Sequence, residues 1–137
     1  MGVILDSTVL IAAERSGKNP RRVIEDLAAS LGDTEAAVSV ITVIELSHAI
    51  ERADSVERRS ARQRFLDELL RELTAEPVTV PIALRAGHMD GELAARGMRV
   101  PLGDLLIAAT ALHLGFEVVT NNVRHFERIP DLRVKQI

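Results

Sequence analysis

Short apolar runs alternate along this chain with longer stretches in which apolar residues recur every three or four positions. The short runs predict strands, the last of them at a sheet edge: Val3–Leu5, Ala37–Ile41, Val78–Val80, Glu117–Thr120 and Leu132–Ile137. The longer stretches predict helices, one of which begins at Asn19-Pro20 and ends near Leu31. Strands that alternate with helices favour a three-layer α/β/α sandwich around a mostly parallel sheet. The sequence therefore predicts an α/β fold with a single domain over residues 1–137.

Several acidic residues occupy positions that capping alone would explain. Asp6 directly follows the first predicted strand and is placed to cap the next helix. Thr42 and Glu45 have the spacing of a capping box, in which each side chain bonds to the backbone of the other. Asp104 lies in the first turn of a helix that is apolar on nearly every side, where the helix dipole favours a carboxylate. Taken one at a time, these acids need no function.

Their positions relative to the strands suggest more than capping. Asp6 follows the first strand, Glu45 lies one turn beyond the second, and Asn122 follows the fourth. Asp104 begins the helix that leads into the fourth strand, so it returns to the same side of the sheet. Because the carboxyl ends of parallel strands share one edge, where open α/β sheets bind ligands, we expect these side chains to converge.

Carboxylates crowded together at neutral pH either share protons or hold a cation. An all-oxygen ligand set suits Mg²⁺ or Mn²⁺ and argues against zinc. The chain has no cysteine, and its four histidines show no metal-binding spacing, although His125 lies near the predicted edge. A weakly held Mg²⁺ is typical of phosphate chemistry, because it acidifies bound water and neutralises charge on a phosphodiester.

Other phosphate-handling sites lack their required residues. No glycine-rich phosphate loop is present, and Thr8 occupies the place of the second aspartate in an Asp-x-Asp phosphatase motif. A receiver-type domain would need a lysine at these junctions, and there is none. The hypothesis that remains is metal-assisted hydrolysis of a nucleic-acid backbone. A non-catalytic α/β module that binds a metal or a partner is the alternative.

Composition narrows the partners and the location. Aromatic residues make up 2% of the 137 residues, so platforms for stacking unpaired bases are nearly absent. The net charge of −3 means that any RNA or protein contact through basic residues would be local, at Arg15, Arg21 and Arg22 or at the arginines of 58–64. No apolar run approaches the ~20 residues of a membrane span, and no signal peptide is recognisable. We therefore expect a cytoplasmic protein with no membrane contact.

Four stretches, taken in order, resemble a known family. They are Asp6-Ser7-Thr8-Val9-Leu10, Glu45 in an apolar helix, Asp104-Leu105-Leu106-Ile107-Ala108-Ala109, and Thr120-Asn121-Asn122 with His125-Phe126. The set resembles a PIN domain and, more narrowly, a ribonuclease toxin of the VapC type. The resemblance implies a Mg²⁺- or Mn²⁺-dependent endoribonuclease that acts on RNA as the toxin of a toxin–antitoxin pair. It also implies a homodimer and an antitoxin encoded by the neighbouring gene.

The resemblance also implies roles for particular residues. Asp6 and Asp104 would bind the metal ion, and Glu45 would orient or deprotonate the attacking water. Thr8 and Thr120 would support the site.

A fourth position departs from the family pattern. Asn122 stands where the family often has aspartate, and a neutral amide coordinates only through its oxygen. We therefore predict that Asn122 positions water or phosphate and that no second ion is held tightly.

Overall fold

A computed structural model describes all residues from 1 to 137, as five strands and seven helices. The strands are β1 (Gly2–Leu5), β2 (Glu35–Ser39), β3 (Thr74–Glu76), β4 (Glu117–Val119) and β5 (Val134–Lys135). The helices are α1 (Ser7–Arg15), α2 (Pro20–Leu31), α3 (Val40–Glu51), α4 (Val56–Glu72), α5 (Val80–Ala95), α6 (Leu102–Leu114) and α7 (Val123–Phe126).

All five strands pair in parallel, in the order β3-β2-β1-β4-β5. The chain leaves the central strand β1 toward β2 and β3, and later returns to β1 on its other side as β4. This reversal makes the carboxyl edge of β1 and β4 a topological switch point, where open α/β sheets bind ligands. The predicted α/β architecture is confirmed, and the sheet is parallel throughout.

Alternate residues of each strand bury their side chains in two separate cores. Val3 and Leu5 of β1 pack with apolar residues of α1, α2, α3 and α4 on one face of the sheet. Ile4 packs on the other face, against α5 and α6. The period of two in a strand and the apolar faces of the helices thus produce the three predicted layers.

The start of α3 corrects the predicted capping box. Strand β2 ends at Ser39, whose hydroxyl accepts a hydrogen bond from the amide of Ile41 at 3.1 Å. Thr42 therefore lies inside the helix, fully buried, with no hydrogen-bond partner for its hydroxyl. The expected pairing of Thr42 with Glu45 is wrong, so Glu45 is not a capping residue.

The third strand also differs from the prediction. Thr74–Glu76 forms β3, where Ala75 pairs with Val38, whereas the predicted segment Val78–Val80 leads into α5. The hydroxyl of Thr79 accepts from the amide of Ile82, which makes Thr79 the N-cap of that helix.

Helix α6 carries Asp104 to the edge where β1 ends. The helix is largely buried, as predicted, and Gly115 ends it in the left-handed conformation (φ 71°) just before β4. Because α6 runs antiparallel to the strand that follows it, its first turn lies at the carboxyl edge of the sheet.

No helix combines the length and the hydropathy that a bilayer crossing requires.

Candidate active site

Asp6 lies at the end of β1 and is held by two threonines. Its side chain is buried and makes no capping bond to α1. Instead, its Oδ2 accepts hydrogen bonds from the hydroxyls of Thr8 and Thr120, both at 2.8 Å. The predicted supporting residues therefore contact the predicted ligand directly, and capping does not explain Asp6.

The two threonines are themselves oriented by the backbone that follows β4. The amide of Asn121 donates to the Thr8 hydroxyl at 3.1 Å, and that of Asn122 donates to the Thr120 hydroxyl at 2.8 Å. Each hydroxyl accepts from an amide, so its own proton is available for Asp6. The network fixes one carboxylate oxygen of Asp6 and leaves Oδ1 without a hydrogen-bond donor from the protein.

Glu45 projects from the second turn of α3 toward the same edge. Its carboxyl group is partly buried, and Oε1 is a buried oxygen with no hydrogen-bond partner. Burial raises the pKa of Glu45, and the charges of Asp6 and Asp104 raise it further, while the nearby Ser7 hydroxyl works in the opposite direction. An orphaned buried carboxylate oxygen is costly, which indicates that it has a partner in the functional state.

Asp104, in the first turn of α6, contacts a histidine. Its Oδ2 lies 2.6 Å from Nδ1 of His125. Burial raises the pKa of Asp104, the contact with His125 lowers it, and the charge of Asp6 raises it again. Asp6, Glu45 and Asp104 therefore lie close enough for each pair of charges to interact, as the strand positions predicted.

The side chain of Asn122 reaches the carboxylates only through His125. Its side-chain amide lies 2.8 Å from Nδ1 of His125, the same nitrogen that contacts Asp104. The sequence placed His125 near the site but did not assign it a contact. A link between Asp104 and His125 depends on tertiary packing of α6 against α7, which no local pattern encodes.

The carboxylate oxygens at this edge suit a hard cation that keeps several of its water ligands better than a cation coordinated by the protein alone. No three side chains of the His, Asp and Glu type form a ready three-ligand shell. The available oxygens are Oδ1 of Asp6, Oε1 of Glu45 and the free oxygen of Asp104, all from carboxylates. Mg²⁺ commonly uses one or two carboxylates and keeps several waters, so this sparse all-oxygen set suits it.

Comparison with known proteins identifies the fold and the family together. A sequence profile of the PIN domain matches residues 3–132. The chain belongs to the PIN domain family. The three acids, the two threonines and Asn122 all lie within the matched part of this PIN domain.

Named relatives and solved structures agree with this assignment. The chain is 33% identical over 106 residues to the tRNA(fMet)-specific endonuclease VapC of Salmonella typhimurium, covering 77% of this chain and 78% of that protein. It is 34% identical to ribonuclease VapC10 of Mycobacterium tuberculosis, covering 96% and 90%. The fold of this PIN domain is similar to a chain of the VapBC2 complex of Rickettsia felis bound to promoter DNA (TM-score 0.84, 25% identity, covering 100% and 99%). It is also similar to one in DNA-bound VapBC of Salmonella typhimurium (TM-score 0.82, 28% identity, covering 99% and 98%).

Proposed function

We propose that this PIN domain is a Mg²⁺- or Mn²⁺-dependent endoribonuclease and the toxin of a VapBC-type toxin–antitoxin pair. The observation that carries the proposal is the cluster of Asp6, Glu45 and Asp104, with an unpartnered buried oxygen on Glu45. The relatives named as VapC ribonucleases support the activity, and the VapBC complexes support the toxin role.

Asp6 and Asp104 are the residues that would hold the ion. Their Oδ2 atoms are engaged by the threonines and by His125, which leaves one oxygen of each carboxylate for the metal or its waters. When bound, the ion supplies charge neutralisation on the phosphodiester and makes a water molecule more acidic.

Glu45 is suited to accept a proton from the attacking water. Hydrolysis joins a water oxygen to phosphorus and breaks a P–O bond, so one proton leaves the attacking water and the departing ribose oxygen takes up a proton from solvent water. The pKa of Glu45 is raised toward neutral pH, and a carboxylate whose pKa lies closer to the working pH is a more effective general base. Its Oε1 has no competing hydrogen bond and can take that proton.

His125 and Asn122 act as positioning residues in this proposal. His125 fixes the orientation of the Asp104 carboxylate by donating from Nδ1 across the 2.6 Å contact, and the Asn122 side chain packs beside the same ring nitrogen at 2.8 Å. Second contacts of this kind typically affect metal affinity or activity by about 10–100-fold. Asn122 would also position water or phosphate, the role that the family resemblance implies for it.

Metal removal is the first test of the proposal. We expect the purified protein to cleave single-stranded and structured RNA with Mn²⁺ or Mg²⁺, and to lose this activity in EDTA. Added Mn²⁺ should restore cleavage, whereas Zn²⁺ or Ca²⁺ should restore much less of it. Calorimetric binding of Mn²⁺ without any RNA cleavage would instead support the non-catalytic metal- or partner-binding module.

An antitoxin partner and a location follow from the same proposal. The VapBC complexes among similar structures support a cognate antitoxin that binds this chain and blocks RNA cleavage. Since RNA and such an antitoxin are made in the cytoplasm, the proposal places the protein there.

We also propose a homodimer, which helix α5 supports. Val80 and Leu84 on this helix are 72% and 69% exposed, and Gly87 and Gly91 continue the same side with open space around them. We expect Leu84→Asp to convert a dimer to a monomer in light scattering. Leu70→Asp on α4 is the matched control and should leave the dimer intact, since Leu70 is exposed on another layer. A monomeric unmodified protein would contradict the proposal.

A further inference from the structure

A groove of about 580 Å³ begins at the carboxylates and runs away from them between α1, α3 and α4. Ser7 and Glu45 line one end, so the groove is continuous with the candidate active site. Arg15, Arg52 and Arg62 also line it. A single cavity therefore has acidic residues at one end and arginines farther along it.

The helix geometry separates the two ends of this groove. Helices α1 and α3 pack side by side, and both begin at the carboxyl edge of the sheet. Arg15 is the last residue of α1, and Arg52 is the C-cap of α3. At 1.5 Å per residue, these arginines lie about 10–12 Å along the helices from Ser7 and Glu45. That distance corresponds to about three nucleotides of stacked strand at ~3.4 Å each.

Two of the three arginines have charges that the protein does not neutralise. Arg62 is largely buried, donates to the carbonyl of Ala49 and lies 3.8 Å from a carboxylate oxygen of Glu14, so it serves the fold. Arg15 and Arg52 are exposed, and neither has a carboxylate within 4.0 Å. Their guanidinium groups remain available for an anionic ligand.

We propose that the groove is an RNA-binding subsite in which Arg15 and Arg52 contact backbone phosphates beyond the scissile bond. This inference rests on the proposed ribonuclease function. A chain with a net charge of −3 and a carboxylate cluster repels a polyanion, so binding needs cations along the path of the strand. Ile11, Ile44 and Phe65 line the groove and provide an apolar surface for sugars and bases.

The test compares Arg15→Gln/Arg52→Gln with Arg85→Gln/Arg96→Gln. The control arginines are exposed, have no carboxylate partner and lie on α5 and at its C-terminal end, on the other side of the sheet. For the groove variant we expect KM for a single-stranded RNA oligonucleotide to rise about tenfold, with little change in kcat. The slope of log(kcat/KM) against log[KCl] should become shallower by about 1.4, since each lost phosphate contact contributes about 0.7 on single strands. Mn²⁺ affinity in calorimetry should stay the same.

A second readout separates this inference from the proposed function. Fluorescence anisotropy of a labelled RNA oligonucleotide in EDTA measures binding without cleavage, and the groove variant should bind about tenfold more weakly than the control. If the unmodified protein fails to cleave RNA, the proposed function fails while the anisotropy still tests the groove. Equal KM, salt slope and anisotropy for the two double variants would overturn the subsite. Loss of antitoxin affinity with unchanged RNA binding would overturn it too, and assign the groove to the antitoxin.

Discussion

Asp6→Asn is expected to lower metal-dependent RNA cleavage by about 10³-fold, since a metal ion contributes several kcal/mol to such a reaction. Asparagine keeps an oxygen that can accept from the hydroxyls of Thr8 and Thr120, so the fold should persist. It replaces the free Oδ1 with an amide group that cannot bind a cation. The measurement is the initial rate of cleavage with saturating Mn²⁺, beside a thermal unfolding curve.

Asp33→Asn is the matched control for this substitution. Asp33 is exposed in the connection between α2 and β2, with no ion-pair or hydrogen-bond partner for its side chain. This control should retain the full rate. If Asp6→Asn kept more than about a tenth of the rate, the role of Asp6 in metal binding would be wrong.

Glu45→Gln is expected to stabilise the metal-free protein while it abolishes most of the cleavage. Burial and the charges of Asp6 and Asp104 raise the pKa of Glu45, so its ionised form destabilises the folded chain at neutral pH. A neutral amide removes that penalty and also removes the proposed general base. Thermal unfolding in EDTA should therefore show a higher Tm for Glu45→Gln than for the unmodified protein.

The effect of pH on this difference follows from the direction of the shift. A raised pKa means that the folded protein binds the proton more readily than the unfolded chain. The penalty from Glu45 is therefore complete above the raised pKa and disappears as the pH falls toward the ordinary value of 4.5. The Tm advantage of Glu45→Gln should be largest near neutral pH and should shrink toward pH 4.5. A lower Tm for the variant at neutral pH in EDTA would contradict this account.

Bound Mn²⁺ should relieve the same penalty in the unmodified protein. Ligand at about 100 times its Kd stabilises a folded protein by ~2.7 kcal/mol, which is ~9 °C for a domain of this size. Glu45→Gln should show a smaller increase, because one of the three interacting charges is missing.

Sequence patterns predicted the parts of the fold that local chemistry determines. The β-branched run before Asp6 forms the central strand, and the Asn19-Pro20 pair starts α2, with the Asn19 side chain accepting from the amide of Arg22. In both places the local sequence favours one structure, and no neighbouring residue competes for the same role. The edge position of the last strand also follows from its alternating pattern, and β5 is confirmed at the edge of the sheet.

The errors arose where several residues compete for one role. Ser39 and Thr42 can each cap α3, and pairing of β2 within the sheet decides for Ser39. Val78 and Val80 favour a strand, but the hydroxyl of Thr79 caps α5 and the strand forms at Thr74–Glu76 instead. Pairing between strands that are distant in the sequence determines both outcomes. A local sequence pattern carries no information about that pairing.

The candidate site also has one part that the sequence predicted and another part that it did not. Convergence of Asp6, Glu45 and Asp104 follows from the parallel topology, so residue positions along the chain were enough to predict it. The contact between His125 and Asp104 and the unpartnered oxygen of Glu45 depend on how α6, α7 and α3 pack. Those details decide the chemistry, and they required the three-dimensional structure.

The most direct test of the carboxylate cluster is a calorimetric titration of Mn²⁺ into the metal-free protein and into Asp104→Asn. We expect saturable binding to the unmodified protein and its loss in the variant. Equal binding by both proteins, or no binding by either, would contradict a metal site at the carboxyl edge of the sheet.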